Sequence, residues 1–298
     1  MGGNLLSSLR LSQVGQEVLR VCFQRGKLRR FRAGLLGHTQ FLRPMRHGRA
    51  PFALGILTLL WKRFQFRMAW PRLRSFAEVK WEAITFDVGG TLIEPHPSVG
   101  HVYSQVASET GLGTYSPEQL NRQFLAAWGQ KRPFDYSKRS WLELVRQTFL
   151  GLSDPFLDPD FFDRLYDRFA RAEVWRVYSD VLPVLEILHQ QGVKLAAISN
   201  WDERLGPLMR DLDLSRFFQV ITISVEVGCH KPDPQVFLGT LQKLGATPER
   251  TLHVGDQYEE DYLGAIALGM EARLLQRGQQ VKLRDTACIQ TLTELISG

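Results

Sequence analysis

Acid is almost missing from the first quarter of this 298-residue chain. Residues 1–74 hold 15 lysines and arginines against a single acid, Glu17, whereas residues 75–298 hold 22 basic and 30 acidic residues. The formal net charge of +6 therefore belongs to the N-terminal arm. The mildly acidic body lacks the basic face that nucleic-acid binding requires. Cysteine is also scarce. Cys22, Cys229 and Cys288 lie far apart, which excludes a disulfide framework and a cysteine metal cluster, so a reducing compartment and a cytoplasmic location are expected. Long apolar runs are missing too. The longest, Phe52 to Trp61, is about half of the ~20 residues that span a bilayer as a helix, and no transmembrane span is expected. It also starts too far into the chain for a usual secretory signal. The body shows no internal repeat and no low-complexity segment.

The arm admits three readings. Its arginine excess fits a presequence, which would send the chain to the mitochondrion or another organelle. It equally fits a poorly ordered basic arm touching anionic lipid or nucleic acid. The plainest reading is a chain whose functional part begins near Met68.

Hydrophobic residues make up 44% of the chain and charged residues 23%, enough for a buried core. Five short apolar runs read as strands buried on both faces: Ala83–Phe86, Val193–Ser199, Val220–Ser224, Thr251–Val254 and Ala272–Leu275. Helical patterns alternate with them at Asp180–Gln191, Asp202–Asp211, Pro234–Leu244 and Tyr258–Leu268, several closed by glycine. This alternation predicts an α/β fold with a doubly wound parallel sheet. Residues 98–177 differ. They offer four helical patterns, His101–Thr110, Pro117–Trp128, Ser140–Leu150 and Pro159–Arg171, and no convincing strand. Such an insert after the first strand is expected to sit as a lid over the strand ends, where ligands bind in open sheets. The expected organisation is a basic arm (1–74), a core domain (80–97 and 178–298) and a helical cap (98–177), in a monomer or weak dimer.

Chemistry gathers at the strand exits. Asp87 ends the first strand and is followed by Gly89, Gly90 and Thr91, so a carboxylate meets a turn whose backbone can approach an anion. Ser199 and Asn200 end the next strand; the hydroxyl could bond a phosphate oxygen, and Asn200 could instead cap the following helix. Lys231 lies in His-Lys-Pro-Asp-Pro, where the prolines stiffen the backbone beneath one positive charge. Asp256 follows Gly255 at the end of a fourth strand, and Asp261 comes five residues later. Paired acids around such a turn suit a hard cation, typically Mg²⁺. Glu259 and Glu260 read as a solvated helix face, with Glu260 able to stand in as a ligand. Each signal has a bland reading of its own, as a turn, a cap, a surface lysine or an acidic first turn. Their order along one sheet edge does not.

In that order the chain resembles the haloacid dehalogenase-like (HAD) hydrolase superfamily over roughly residues 82–278. Asp87-Val88-Gly89-Gly90-Thr91 matches its first motif, Ser199 the second, Lys231 the third, and Gly255-Asp256 with Asp261 the fourth. The helical insert looks like the cap of subfamily I, and the wider pattern is similar to the group of haloacid dehalogenase-like hydrolase domain-containing protein 3. The resemblance implies a Rossmann-like core and a small phosphorylated molecule as substrate. It implies Asp87 as nucleophile passing through an aspartyl phosphate, and Mg²⁺ held by Asp87, Asp256, Asp261 and the Gly89 carbonyl. Ser199, Asn200, Lys231 and the Gly89–Thr91 amides would then share the phosphate charge.

One position departs from the pattern. Gly89 stands where such enzymes usually carry an aspartate that protonates the leaving group and activates water. Positioned acid–base catalysis is worth ~10²–10⁴ in rate. Glu94 and His96 are nearby candidates for that work, against the plainer reading of a polar linker, and a substrate with a good leaving group would need the acid less. Three functions follow: a Mg²⁺-dependent phosphatase, a weakly active or non-catalytic binding protein, or a 2-haloacid dehalogenase. The full metal-type acid pattern argues against the last. Trp128, Arg132, Tyr136, Lys138, Arg139 and Trp141 are the cap's candidate pocket residues, against the plainer reading of its aromatics as cap core and its charges as exposed.

Overall fold

A computed structural model describes residues 80–130, 134–152, 159–278 and 285–297. The basic arm, residues 1–74, and Arg132 lie outside the described residues. The first strand, β1 (Ala83–Phe86), is wholly buried, as its unbroken apolar run requires. It occupies the middle of a six-stranded parallel sheet of order β5-β4-β1-β6-β7-β8. The others are β4 (Lys194–Ser199), β5 (Val220–Ile223), β6 (Thr251–Gly255), β7 (Glu271–Leu275) and the two-residue β8 (Cys288–Ile289). Strand order runs outward from β1 in both directions, so the sheet's switch point falls at β1. This is the α/β fold that the alternating pattern predicts.

Register fixes what happens there. Phe86 lies opposite Ala197 on β4 and Val254 on β6. The residues that follow, Asp87, Ser199 and Asp256, therefore emerge along one edge. Beneath them Phe86, Val88, Leu92, Leu195, Ala197, Leu252 and Val254 form one buried cluster with helix α5 (Val181–Gln190). Each such large side chain contributes about 1.5–3 kcal/mol on burial.

Between β1 and β4 the chain leaves the sheet. The four cap helices are α1 (Val99–Glu109), α2 (Pro117–Gln130), α3 (Lys138–Phe149) and α4 (Pro159–Arg168). Their apolar stripes meet in a separate cluster around Tyr103, Leu120, Phe149, Phe161 and Leu165. Two expectations are corrected. The insert is not strand-free: Trp175–Val177 (β3) pairs antiparallel with Ile93–Pro95 (β2), Glu94 facing Arg176. Three residues are too few to show alternation, and the partner lies some 80 positions away, so periodicity could not reveal this ribbon. The segment Tyr258–Leu268 is not one regular helix. It opens as a π-type turn, Tyr258–Leu263, in which the amides of Asp261 and Tyr262 both bond the Gln257 carbonyl (2.9 and 3.3 Å). A short α-helix, Gly264–Ile266, follows. Among the described residues, no helix is long and apolar enough to cross a membrane.

Candidate active site

Asp87 sits one residue beyond β1, its amide bonded to the Val254 carbonyl (2.9 Å). The chain then turns sharply: Leu92 and Ile93 both donate to the Val88 carbonyl (2.8 and 3.1 Å). Gly90 adopts φ 79°, and a Cβ there would stand 2.6 Å from an Asp256 carboxylate oxygen. A Cβ on Gly255 would fall 2.2 Å from the Asp261 carboxylate. Both glycines are therefore required for three acids to converge. Asp87, Asp256 and Asp261 each bring a carboxylate oxygen within 4.8 Å of the others.

Lys231 lies under this cluster, only 1% exposed, with Nζ 2.7 Å from Asp87 Oδ1 and 2.6 Å from Asp261 Oδ1. Its placement depends on Asn200. That side chain accepts from the Lys231 amide (2.7 Å) and donates to the Lys231 carbonyl and to Glu260 (both 2.9 Å). Asn200 thus fastens the lysine loop to the end of β4 and caps no helix. The helix expected from Asp202 starts later, as α6 (Leu205–Asp211), because the Asp202 carboxylate grips the Arg204 guanidinium with two bonds (2.8 and 2.6 Å).

Burial and crowding set the charges. Burial would push the Lys231 ammonium down, but Asp261 and Asp87 outweigh it and hold it above its ordinary value. Asp261 is held below the usual carboxylate range; burial opposes this, and Lys231 and His253 prevail. Asp87 is raised to about 6, chiefly by burial, with Lys231 opposing and the Asp261 charge adding. Asp256 is raised to about 8 by burial and by the charges of Asp87 and Asp261. Asp256 Oδ1 is also buried with no hydrogen-bond partner. A carboxylate oxygen so placed is costly unless something positive faces it. The donor set is all oxygen, and three carboxylates against the one Lys231 ammonium leave two negative charges to be met, which fits a hard divalent cation.

Most of the expected residues meet here. Asp87, Gly89, Gly90, Ser199, Asn200 and Asp256 line a cavity of about 530 Å³ between sheet edge and cap. Lys231 and Asp261 lie just behind its wall, touching Asp87 and each other. Thr91 does not line the cavity. Its hydroxyl is buried without a partner, and its carbonyl accepts from Arg277 (2.8 Å). The Gly90 amide, expected to face phosphate, bonds the Ile93 carbonyl instead (2.8 Å) and so shapes the turn. Asp261 accepts at both oxygens, from Lys231 and His253 (3.2 Å) at Oδ1 and from the Gln257 amide (2.9 Å) at Oδ2. Of the two candidates to replace an acid at position 89, Glu94 lines the cavity while paired with Arg176, and His96 is exposed away from it. Glu259 is exposed, and Glu260 accepts from Asn200 and lies 3.5 Å from the Tyr136 hydroxyl.

The cavity roof comes from the cap. Trp128, Tyr136 and Trp141 line it. Lys138 instead pairs with Asp163 (2.8 Å), and Arg139 is exposed. Tyr136 holds φ 61°, an uncommon conformation for an aromatic residue, and its buried ring meets His230 edge-on.

Three further residues carry little sequence signal. His253 is wholly buried between Thr85 (2.7 Å) and Asp261; a histidine inside an apolar strand was its one clue. Arg204 lies 3.5 Å over the Tyr166 ring and donates to the Tyr166 carbonyl (2.9 Å), tying cap to core. Trp201 packs over Gly89, where a Cβ would stand 3.0 Å from its ring. The space that an acid at position 89 would enter is thus bounded by indole.

A model of the haloacid dehalogenase-like hydrolases matches residues 81–269. The chain is 34% identical over 232 residues to haloacid dehalogenase-like hydrolase domain-containing protein 3 of Danio rerio, covering 73% of this chain and 95% of that protein. It is 31% identical over 182 residues to phosphoglycolate phosphatase of Agrobacterium fabrum, covering 59% and 72%. Among solved structures, a HAD phosphatase from Thermococcus onnurineus superposes with a TM-score of 0.53 at 26% identity, covering 72% of this chain and 95% of that one.

Proposed function

The chain belongs to the haloacid dehalogenase-like hydrolases, and from that premise we propose that it is a Mg²⁺-dependent phosphatase acting on a small phosphorylated molecule, with Asp87 as nucleophile. One observation carries the reading: Asp87 reaches the cavity floor with Lys231 2.7 Å behind it and the partnerless Asp256 oxygen beside it. A metal-free displacement on carbon gives no reason to bury that second carboxylate, so the dehalogenase alternative is set aside.

Asp87 attacks phosphorus and forms an aspartyl phosphate, which water then hydrolyses. Lys231 holds one Asp87 oxygen, so the other is aimed at the substrate, and its charge steadies the crowded anions through the transition state. Ser199, lining the cavity beside Asp87, would donate to a phosphoryl oxygen. Asn200 fixes the Lys231 loop. Mg²⁺, held by Asp87, Asp256 and the Gly89 carbonyl with Asp261 steadying the set from behind, would draw the phosphoryl oxygens together and offset their charge. The residues present supply no carboxylate at position 89, so protonation of the leaving group is the weak step. That observation also keeps a second reading in view, a protein that binds its phosphorylated ligand and turns it over slowly.

The test is phosphate release by the full chain with Mg²⁺ across a panel of phosphate esters, beside Asp87→Asn. Turnover of at least one ester that needs both Asp87 and metal is expected. Equal rates for the two proteins on every ester would overturn the hydrolase mechanism.

A further inference from the structure

Two features of the cavity, read together, narrow its substrate. The first is the missing acid. With glycine at 89 and the Trp201 ring bounding the space beside it, the leaving oxygen of a phosphate ester finds no carboxyl at that position to protonate it. An alkoxide leaving without a proton is a poor leaving group. A phenolate is far better, since a phenol has a pKa of about 10. The second feature is the roof. Trp128 and Trp141 stack on one another with centroids 5.7 Å apart and planes within 10°. Trp175 and Trp201 meet at 5.2 Å, and Tyr103 and Tyr166 complete an aromatic wall. Among the described lining residues the single cation, Arg204, is already engaged by Asp202 and by the Tyr166 carbonyl and ring. Aromatic surface therefore outweighs free positive charge among the described lining residues, which suits a flat ring better than a second anionic group.

We propose that the cavity takes an aryl phosphate, the monoester of a phenol, with its phosphate at Asp87 and its ring against the indoles of the roof. This rests on the phosphatase reading and specifies its substrate class. A carboxylate oxygen of Asp87 forms a bond to phosphorus while the bond from phosphorus to the aryl oxygen breaks. The electron pair departs with the phenolate, which takes its proton from solvent afterwards. Water then adds to phosphorus and the bond to Asp87 breaks. The carboxylate is regenerated, inorganic phosphate leaves, and the water's proton passes to phosphate and bulk water. In this step too the leaving group is a carboxylate, which needs no acid. The missing residue and the aromatic roof thus describe one substrate: an ester whose leaving group is stable as an anion and whose body is a ring.

The experiment compares phenyl phosphate with benzyl phosphate, using the full chain and Mg²⁺. Both carry a ring, but only phenyl phosphate releases a phenolate. Expected is a kcat/KM for phenyl phosphate at least ~10² above that for benzyl phosphate, the scale of the lost acid catalysis. Binding supplies a reading independent of turnover. Phenylphosphonate should bind several-fold more tightly than methylphosphonate and quench tryptophan fluorescence, since one aromatic pair contributes ~0.5–1.5 kcal/mol, about 2- to 13-fold. Equal kcat/KM for the two esters, or equal binding of the two phosphonates, would overturn the proposal while Asp87-dependent turnover left the phosphatase reading standing. No difference between wild type and Asp87→Asn on any ester would instead remove the phosphatase reading itself.

Discussion

The floor of the cavity and its roof are built on opposite physics. The floor is charge locked by hydrogen bonds: Lys231 is buried against two carboxylates, Asn200 pins its backbone, and of the three acids Asp256 alone keeps a buried oxygen, Oδ1, without a donor, while its Oδ2 accepts from the Gln257 side chain. The roof is aromatic area on helices of a separate core, joined to the sheet by the β2–β3 ribbon and the Arg204–Tyr166 contact. Position on the floor is fixed within one sheet edge, so a change there should act on the chemical step. On the proposed reading the roof would meet the substrate through packing, so a change there should act on affinity and on which ester is chosen.

The largest expected effect lies at the nucleophile. Asp87→Asn should lower turnover by ~10⁴ or more, as loss of a covalent nucleophile does elsewhere. Next is Lys231→Met, which leaves Asp87 and Asp261 facing each other without their shared cation. Breaking a buried pair in this way costs about 3–5 kcal/mol, readable by urea unfolding, and phosphate release should vanish with it. If Lys231→Met were as stable as wild type, the floor would not be the locked element described here.

Metal comes third. Mg²⁺ at a hundred times its Kd should stabilise the folded chain by about 2.7 kcal/mol, seen as a rise in Tm. Asp256→Asn should abolish that rise, because Oδ1 of Asp256 is the acceptor left open for it. The smallest effects belong to the roof. Tyr136→Phe removes a hydroxyl that lies 3.5 Å from both Glu260 oxygens and also bonds Asn200, and should change KM by a few-fold with kcat nearly unchanged, on the order of 1 kcal/mol. A roof variant that altered kcat as strongly as Asp87→Asn would erase the distinction.

Gly89→Asp probes both regions at once. From the sequence alone, restoring the missing acid should raise turnover. The structure adds a condition, since the new Cβ would stand 3.0 Å from the Trp201 ring. Gly89→Asp alone should therefore gain less on benzyl phosphate than Gly89→Asp combined with Trp201→Ala, and the order of the two rates checks this.

These two regions also differ in how far the chain announces them. The sheet was legible because doubly buried strands such as Ala83–Phe86 are unbroken apolar runs, and their exits carry Asp87, Ser199 and Asp256 in plain view. Convergence of Asp87, Lys231 and Asp261 was implied by the family resemblance that their motif order carries. What periodicity could not show were partners set by tertiary approach. Asn200 reads as a helix cap until it is seen bonded to a backbone 31 residues away, and Gly89 reads as empty space until Trp201 is found against it. The roof was legible only as a supply of aromatic residues. Which rings face the cavity depends on how four helices pack, and Trp128 and Trp141 could as well have been buried in the cap.

The most direct test of the central claim is where phosphate is found when the reaction is stopped. The full chain is mixed with Mg²⁺ and phenyl phosphate, quenched in acid within one turnover, digested and mapped by mass spectrometry. A phosphoryl group on the peptide bearing Asp87, absent from Asp87→Asn, is the expected result. Phosphate release by the wild type with no label at Asp87, or the same label in both proteins, would contradict it.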